Sequence, residues 1–214
     1  SNIPTSQGGG SLHSLYLETL QAGSDGLMAR IQIPSIHLDL PIYHGTSDST
    51  LLRGIGHLEG TSLPVGGIGT HAVLTGHRGL AKAMMFTNLN KVHNGDLFTI
   101  STFGSVLTYK VISAKIVNPD QTESLKAVKG EDLVTLVTCT PLGINTQRIF
   151  ITGERVTPTP RNSLYAAAGD SKVPGFPWWA VIAALTIVLD VVWFIRVSVV
   201  DFSKAKHPEH QRLK

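Results

Sequence analysis

Short stretches in which apolar and polar positions alternate fill most of the chain, and one long apolar run follows near its end. Alternation with a period of two marks half-buried strands. Leu27–Ile33 (LMARIQI) and residues 36–42 (IHLDLPI) read as two strands, split at Pro34, which has no N–H to give to a ladder. Residues 71–75, 97–103, 106–117, 132–138 and 148–157 read as further strands, and Gly104-Ser105 suits a hairpin turn. Leu12, Leu15, Tyr16 and Leu20 have helical spacing, which predicts a short helix over 12–21; a helical turn or two is expected within 81–89. Residues 1–11 are polar, contain Gly8-Gly9-Gly10 and are expected to be disordered, while 54–69 holds six glycines and reads as turns. No strand–helix–strand alternation or internal repeat appears. Seven or eight strands with few helices predict a mostly β domain, a mostly antiparallel closed barrel or sandwich, ending at the run Val156-Thr157-Pro158-Thr159-Pro160.

The apolar run is of a different kind. Residues 173–189 are 17 consecutive uncharged positions, and 176–195 are 20 residues whose one charge is Asp190. About 20 apolar residues are needed to span a bilayer as a helix. Trp178 and Trp179 lie at one end, as an interfacial belt would, and Arg196, Lys204, Lys206, Arg212 and Lys214 follow the other. The pattern predicts a linker over 158–175, a membrane span over 176–196 and a basic cytoplasmic tail over 197–214, with the β domain outside. Asp190 is costly in hydrocarbon, and its place near the cytoplasmic end lets water or Arg196 relieve it. No secretory signal is visible, and a chain that opens Ser1-Asn2 without methionine is expected to be a truncated product.

Composition sharpens this division. Of 214 residues 42% are hydrophobic and only 15% charged, against about 25% charged in globular chains generally. That argues against intrinsic disorder and against a broad charged surface for nucleic acid. The net charge is +3, and the last 42 residues, with 5 basic and 3 acidic groups, supply +2 of it. The preceding 172 residues are nearly neutral.

The chain has one cysteine, Cys139, so no internal disulfide and no Cys-rich zinc site can form, and its nine histidines make no HExxH pattern. Cys139 ends the strand-like run 133–138 and precedes Thr140-Pro141. It is a candidate nucleophile; a buried core cysteine is the plainer alternative. His77 follows the strand 71–75 within Gly76-His77-Arg78-Gly79, and glycines on both sides suggest a tight turn. An imidazole near a thiol shares its proton and favours the thiolate; otherwise His77 is a capping loop residue. Arg148 opens the last strand after the loop 140–147, and if the two strands pair, its guanidinium returns to the thiol's end to offset oxyanion charge. An ordinary surface arginine is its alternative.

These stretches together resemble a sortase, specifically a class C, pilin-polymerising sortase. The similarity runs through Ile33-Pro34, LPIYHGT (40–46), GHLEGTSLP (56–64), TGHRG (75–79), TLVTCTP (135–141) and NTQR (145–148), covering about residues 27–157 in the family's order. The resemblance implies a closed eight-stranded barrel with short helices and a C-terminal membrane helix. It implies Cys139 as nucleophile, His77 as acid/base and Arg148 as the oxyanion-stabilising arginine. The implied reaction cleaves an LPXTG-like sorting signal between Thr and Gly and passes the thioacyl group to a pilin lysine, with no metal or organic cofactor and no nucleic-acid partner. Attachment to a cell-wall peptide amine is the alternative reaction, and a non-catalytic pilus-assembly scaffold the non-enzymatic one. A Gram-positive cell membrane, crossed once with the catalytic domain outside, is the implied location. His44, His57, His71 and His93 match no chemical step and are expected to pack, bond turns or face solvent. Thr138 and the loop 140–147 are expected to line the site, and residues 118–131 to shape the groove for the sorting signal. Class C enzymes commonly carry an N-terminal lid with an Asp-Pro-aromatic motif; residues 1–30 hold none, since Asp25 is followed by Gly26. The segment 1–26 therefore reads as a tail, a short helix and at most a truncated lid, and an open or reduced-lid groove is expected.

Overall fold

Eight strands close into a barrel in the computed structural model, which describes residues 10–21, 25–80 and 84–168 together with 182, 185–189, 193 and 196. They are β1 (Leu27–Ile33), β2 (Leu38–His44), β3 (Ile55–His57), β4 (Thr70–Thr75), β5 (Leu97–Thr102), β6 (Ser105–Val117), β7 (Asp132–Thr140) and β8 (Gln147–Val156). Around the barrel they run β1-β2-β3-β4-β7-β8-β6-β5, and β5 closes back on β1. Two joints are parallel, β2 with β3 and β4 with β7; the other pairs are antiparallel. The choice between barrel and sandwich is thereby settled for the barrel. Among the described residues up to 168, three α-helices accompany it: α1 (Gly10–Glu18), α2 (Asp48–Arg53) and α3 (Arg161–Ala168).

Alternation along the strands explains the core. In β1, Ile31 and Ile33 point inward and are fully buried, whereas Arg30 and Gln32 point outward and both bond Asp39 on β2. Ile42, Ile55, Leu74, Phe98, Tyr109 and Leu136 meet Ile31 and Ile33 in the interior. Phe98 and Tyr109 stack at 5.4 Å between ring centroids, which is possible because Gly153 faces them; a Cβ there would lie 2.5 Å from Phe98 Cε1.

Several boundaries differ from the sequence expectation for local reasons. Residues Pro34–Ile36 form a 3₁₀ turn and His37 is left-handed at φ 52°, so β2 starts at Leu38, later than position 36. β7 continues to Thr140 and β8 starts at Gln147, which shortens the loop between them to 141–146. β3 is three residues long inside the glycine-rich stretch, too short to show a period. The stretch expected to be helical at 81–89 gives turns and a 3₁₀ helix over Leu89–Lys91, and residues 81–83 lie outside the described residues. Within the segment expected to be a linker, Arg161–Ala168 forms α3 against β5 and β6, with Ser163 and Ala167 buried and Thr159 Oγ1 donating to the Val106 carbonyl at 3.0 Å.

The chain divides into two units, Ser1–Gly169 and Asp170–Lys214. In the second, positions 182, 185–189, 193 and 196 are helical, and Ile182, Leu185, Ile187, Val188, Leu189 and Trp193 are exposed. No helix among the described residues is long and apolar enough to cross a membrane. The tail at 1–9, residues 169–181, Asp190 and the basic tail at 197–214 lie outside the described residues.

Candidate active site

Strands β4, β7 and β8 are neighbours, and three chemical groups gather at one end of them. Thr75 on β4 lies opposite Val137 on β7, and the Gly76 N–H donates to the Val137 carbonyl at 3.0 Å. These strands are parallel, so His77, two residues past the end of β4, and Cys139, two residues past Val137, leave the pair at the same end. β7 and β8 are antiparallel with Cys139 opposite Arg148. The three residues expected to carry the chemistry all line one cleft of about 930 Å³.

Side-chain alternation puts this cleft on the outer face of the barrel. Cys139 shares a face with Val137, and Arg148 with Phe150. Val137 and Phe150 join Val73 in a small apolar cluster apart from the main core, packed by Leu58, Val117 and Leu125. Val137 of that cluster lines the cleft beside the thiol. Pro119, from the stretch 118–131, forms part of the wall, as do Ile144, Asn145 and Thr146 from the loop after β7; Thr138 also lines the cleft.

The turn that presents His77 is built by exclusion of bulk. A Cβ on Gly76 would sit 2.7 Å from both Ile55 Cδ1 and Phe86 Cδ2, so only glycine lets β4 leave the barrel there. Thr138 Oγ1 donates to the Gly76 carbonyl at 2.7 Å, and the Phe86 N–H donates to the His77 carbonyl at 2.9 Å. Gly79 turns the chain at φ +80°. Arg78 fastens this loop to the end of β7: its Nε donates to the Thr87 carbonyl at 3.2 Å and its Nη1 to Thr140 Oγ1 at 3.0 Å. Arg78 is thus a strut and does not line the cleft.

Cys139 and His77 are half-buried, and Arg148 is 7% exposed. Arg148 Nη1 donates to the carbonyls of Asn145 (2.8 Å) and Gln147 (2.9 Å), which fixes the guanidinium while Nε and Nη2 make no bond to the described residues. A half-buried thiol, an imidazole and a fixed cation in one cleft suit nucleophilic acyl transfer: attack, proton exchange and stabilisation of a tetrahedral oxyanion. Among the described residues no group of three or more His, Cys, Asp or Glu is arranged to hold a metal ion.

The remaining histidines lie elsewhere. His57 is fully buried; its Nδ1 accepts from the Tyr16 hydroxyl at 2.9 Å and its Nε2 donates to the Ser62 carbonyl at 2.9 Å. Burial pushes its pKa down to about 4, against the opposing pull of that carbonyl, so the ring is neutral. Burial likewise raises the Tyr16 phenol to about 12, although the Gly45 N–H donating to it pulls the other way. His44 is buried between the Gly26 and Thr19 carbonyls, at 3.0 and 2.7 Å. His71 is buried between the Lys126 carbonyl (3.0 Å) and Thr135 Oγ1 (2.7 Å), and His93 faces solvent. None of the four lines the cleft, and neither does any residue of α1, which docks through Tyr16 and a 2.9 Å pair between His13 and Glu59.

One wall went unread in the sequence: Thr46, Ser47, Asp48 and Leu51, at the start of α2. Its signal is slight. Ser47 precedes the apolar pair Leu51-Leu52 and caps α2, its Oγ accepting from the Thr50 N–H at 3.2 Å.

Comparison with known proteins identifies the family. Residues 31–156 match the family model "Sortase domain", which is more than half of the chain. The chain is 52% identical to sortase C-1 of Actinomyces oris, whose crystal structure superposes with a TM-score of 0.66 over 73% of this chain and 81% of that one. Sortase C1 of Streptococcus agalactiae is 44% identical, with a TM-score of 0.70 over 72% of this chain and 79% of that one. Among curated relatives, sortase A of Bacillus anthracis is 29% identical over 130 residues, 61% of this chain and 60% of the relative, so the chain spans well under two thirds of that relative's length.

Proposed function

Since the chain belongs to the sortase family, we propose that it is a cysteine transpeptidase that polymerises pilin subunits. Cys139 as thiolate attacks the carbonyl between Thr and Gly of an LPXTG-like sorting signal. Arg148 stabilises the tetrahedral oxyanion through its free donors, and His77 protonates the departing glycine amine, leaving a thioester on Cys139. A lysine amine of the next pilin then attacks the thioester carbon, His77 takes its proton, and the thiolate leaves as an isopeptide bond forms. The observation that supports this reading is the cleft that His77, Cys139 and Arg148 line together, with Cys139 paired to Arg148 across β7 and β8. The class C choice draws its support from the solved structures at 44–52% identity, named sortase C-1 and C1.

Anchoring by a single span over 176–196, with the barrel outside a Gram-positive cell membrane, belongs to the same proposal. Its support is the apolar run itself and the helical state of positions 182 and 185–189, apolar but for Thr186. Incubation with a pilin carrying both sorting signal and acceptor lysine, in competition with a wall-peptide amine, tests the acceptor. A ladder of covalent pilin oligomers is expected. Exclusive transfer to the wall peptide would replace polymerisation with surface attachment.

A further inference from the structure

The order of elements around the barrel sorts the cleft into two sides. The wall of Thr46–Asp48 follows β2; next come β3, then β4 with His77 at its exit, then β7 with Cys139, then β8 with Arg148. Arg148, the fixed cation, lies on the far side of the thiol, where an acyl oxygen would collect negative charge. His77 lies on the near side, where an amine must arrive or depart. Beyond His77, on that same side, stands Asp48. It is the sole carboxylate among the residues that line the cleft. It is exposed, and it makes no hydrogen bond or ion pair with the described residues. Nor does it serve as the cap of α2, a role taken by Ser47.

We infer that Asp48 receives the ammonium group of the incoming amine and hands it to His77 in position for attack. This inference rests on the transpeptidase reading above. An alkyl amine arrives at neutral pH as a cation, and the cleft already holds one fixed cation in Arg148. A carboxylate on the amine's side makes that approach favourable. The ammonium then loses one proton to His77, the nitrogen lone pair attacks the thioester carbon and a C–N bond forms; as the C–S electron pair returns to Cys139, the second N–H proton passes to that sulfur, leaving a neutral amide. Asp48 takes no proton in this sequence. It binds and orients the acceptor, so its effect belongs in the acceptor KM and not in formation of the thioester. Any primary alkyl ammonium fits, whether it comes from a pilin lysine or a wall peptide.

The test compares the full chain with Asp48→Asn and Asp48→Glu. Thioester formation from a sorting peptide is expected to be equal in all three. With a lysine-bearing peptide as acceptor, Asp48→Asn should raise the acceptor KM about three- to tenfold with kcat nearly kept, the modest size reflecting a solvent-exposed pair. Asp48→Glu should stay near the parent. Hydroxylamine, uncharged at pH 7.5, should react equally with all three. A second measurement needs no variant: in the parent, added salt should raise the KM for the lysine peptide and leave hydroxylamine unaffected. An unchanged lysine KM in Asp48→Asn, or a loss shared equally by hydroxylamine, overturns the inference, as does salt-independence of the lysine KM. A parent protein that forms no thioester overturns the transpeptidase reading instead.

Discussion

Arg148 and Gly76 show how much rests on single side chains. Arg148 is nearly buried and its Nη1 is already committed to two carbonyls, so its remaining donors are held in place before any substrate arrives. Lysine has neither the fork nor the reach to repeat that arrangement. Arg148→Lys is expected to lower kcat/KM for a sorting peptide by roughly 10²- to 10³-fold, the usual cost of one oxyanion donor, with the Cys139 thiol still open to alkylation. Gly76→Ala forces a Cβ against Ile55 and Phe86; about 1–3 kcal/mol of lost stability is expected in urea unfolding, together with a misplaced His77. Cys139, His77 and Arg148 were legible in the sequence as candidates because each is a reactive type set in a distinctive run, and the structure brings all three to one cleft. Asp48 was not, because an aspartate after serine reads as an ordinary helix start, and only closure of the barrel carries it to the same cleft.

At the scale of elements, the segment 118–131, whose Pro119 lines the cleft, depends on a buried polar chain. His71 Nδ1 donates to the Lys126 carbonyl, Thr135 Oγ1 donates to His71 Nε2, and Thr152 Oγ1 lies 2.8 Å from Thr135 Oγ1. His71 thus ties the segment bearing Pro119 to strands β4 and β7. His71→Phe fills the space and leaves the Lys126 carbonyl and Thr135 hydroxyl without their partner, at a cost of about 1–3 kcal/mol. Faster amide exchange over 118–131 and a raised KM for the sorting peptide are expected; unchanged exchange there would remove this role. The long strands were legible at this scale from their alternation. β3 and α2 were not, being three and six residues long, and α3 was hidden by the prolines before it and the apolar run after it.

For the whole molecule, pH bears on stability and the proposed membrane span on location. Above about pH 6.5 His57 is neutral whether the chain is folded or not. Between there and about pH 4 only the unfolded chain takes up the proton, so stability falls as the pH drops through that window. Denaturant unfolding at pH 7 and pH 5 should show a lower midpoint at pH 5, and the difference should shrink in His57→Gln. His57 also holds Tyr16, so the docking of α1 is expected to loosen only as the pH falls toward about 4, where the ring of the folded chain takes up its proton. The full chain is expected to partition into liposomes, whereas residues 1–169 stay in the aqueous phase; equal partitioning would remove the membrane span from the account. The central claim is that Cys139 forms an acyl enzyme, and intact mass of the protein incubated with an LPXTG-type peptide tests it most directly. The expected result is a hydroxylamine-labile adduct equal to the peptide up to Thr, present on the parent chain and missing from Cys139→Ala. A parent chain that carries no adduct with any sorting peptide, while its thiol still reacts with an alkylating agent, would contradict it.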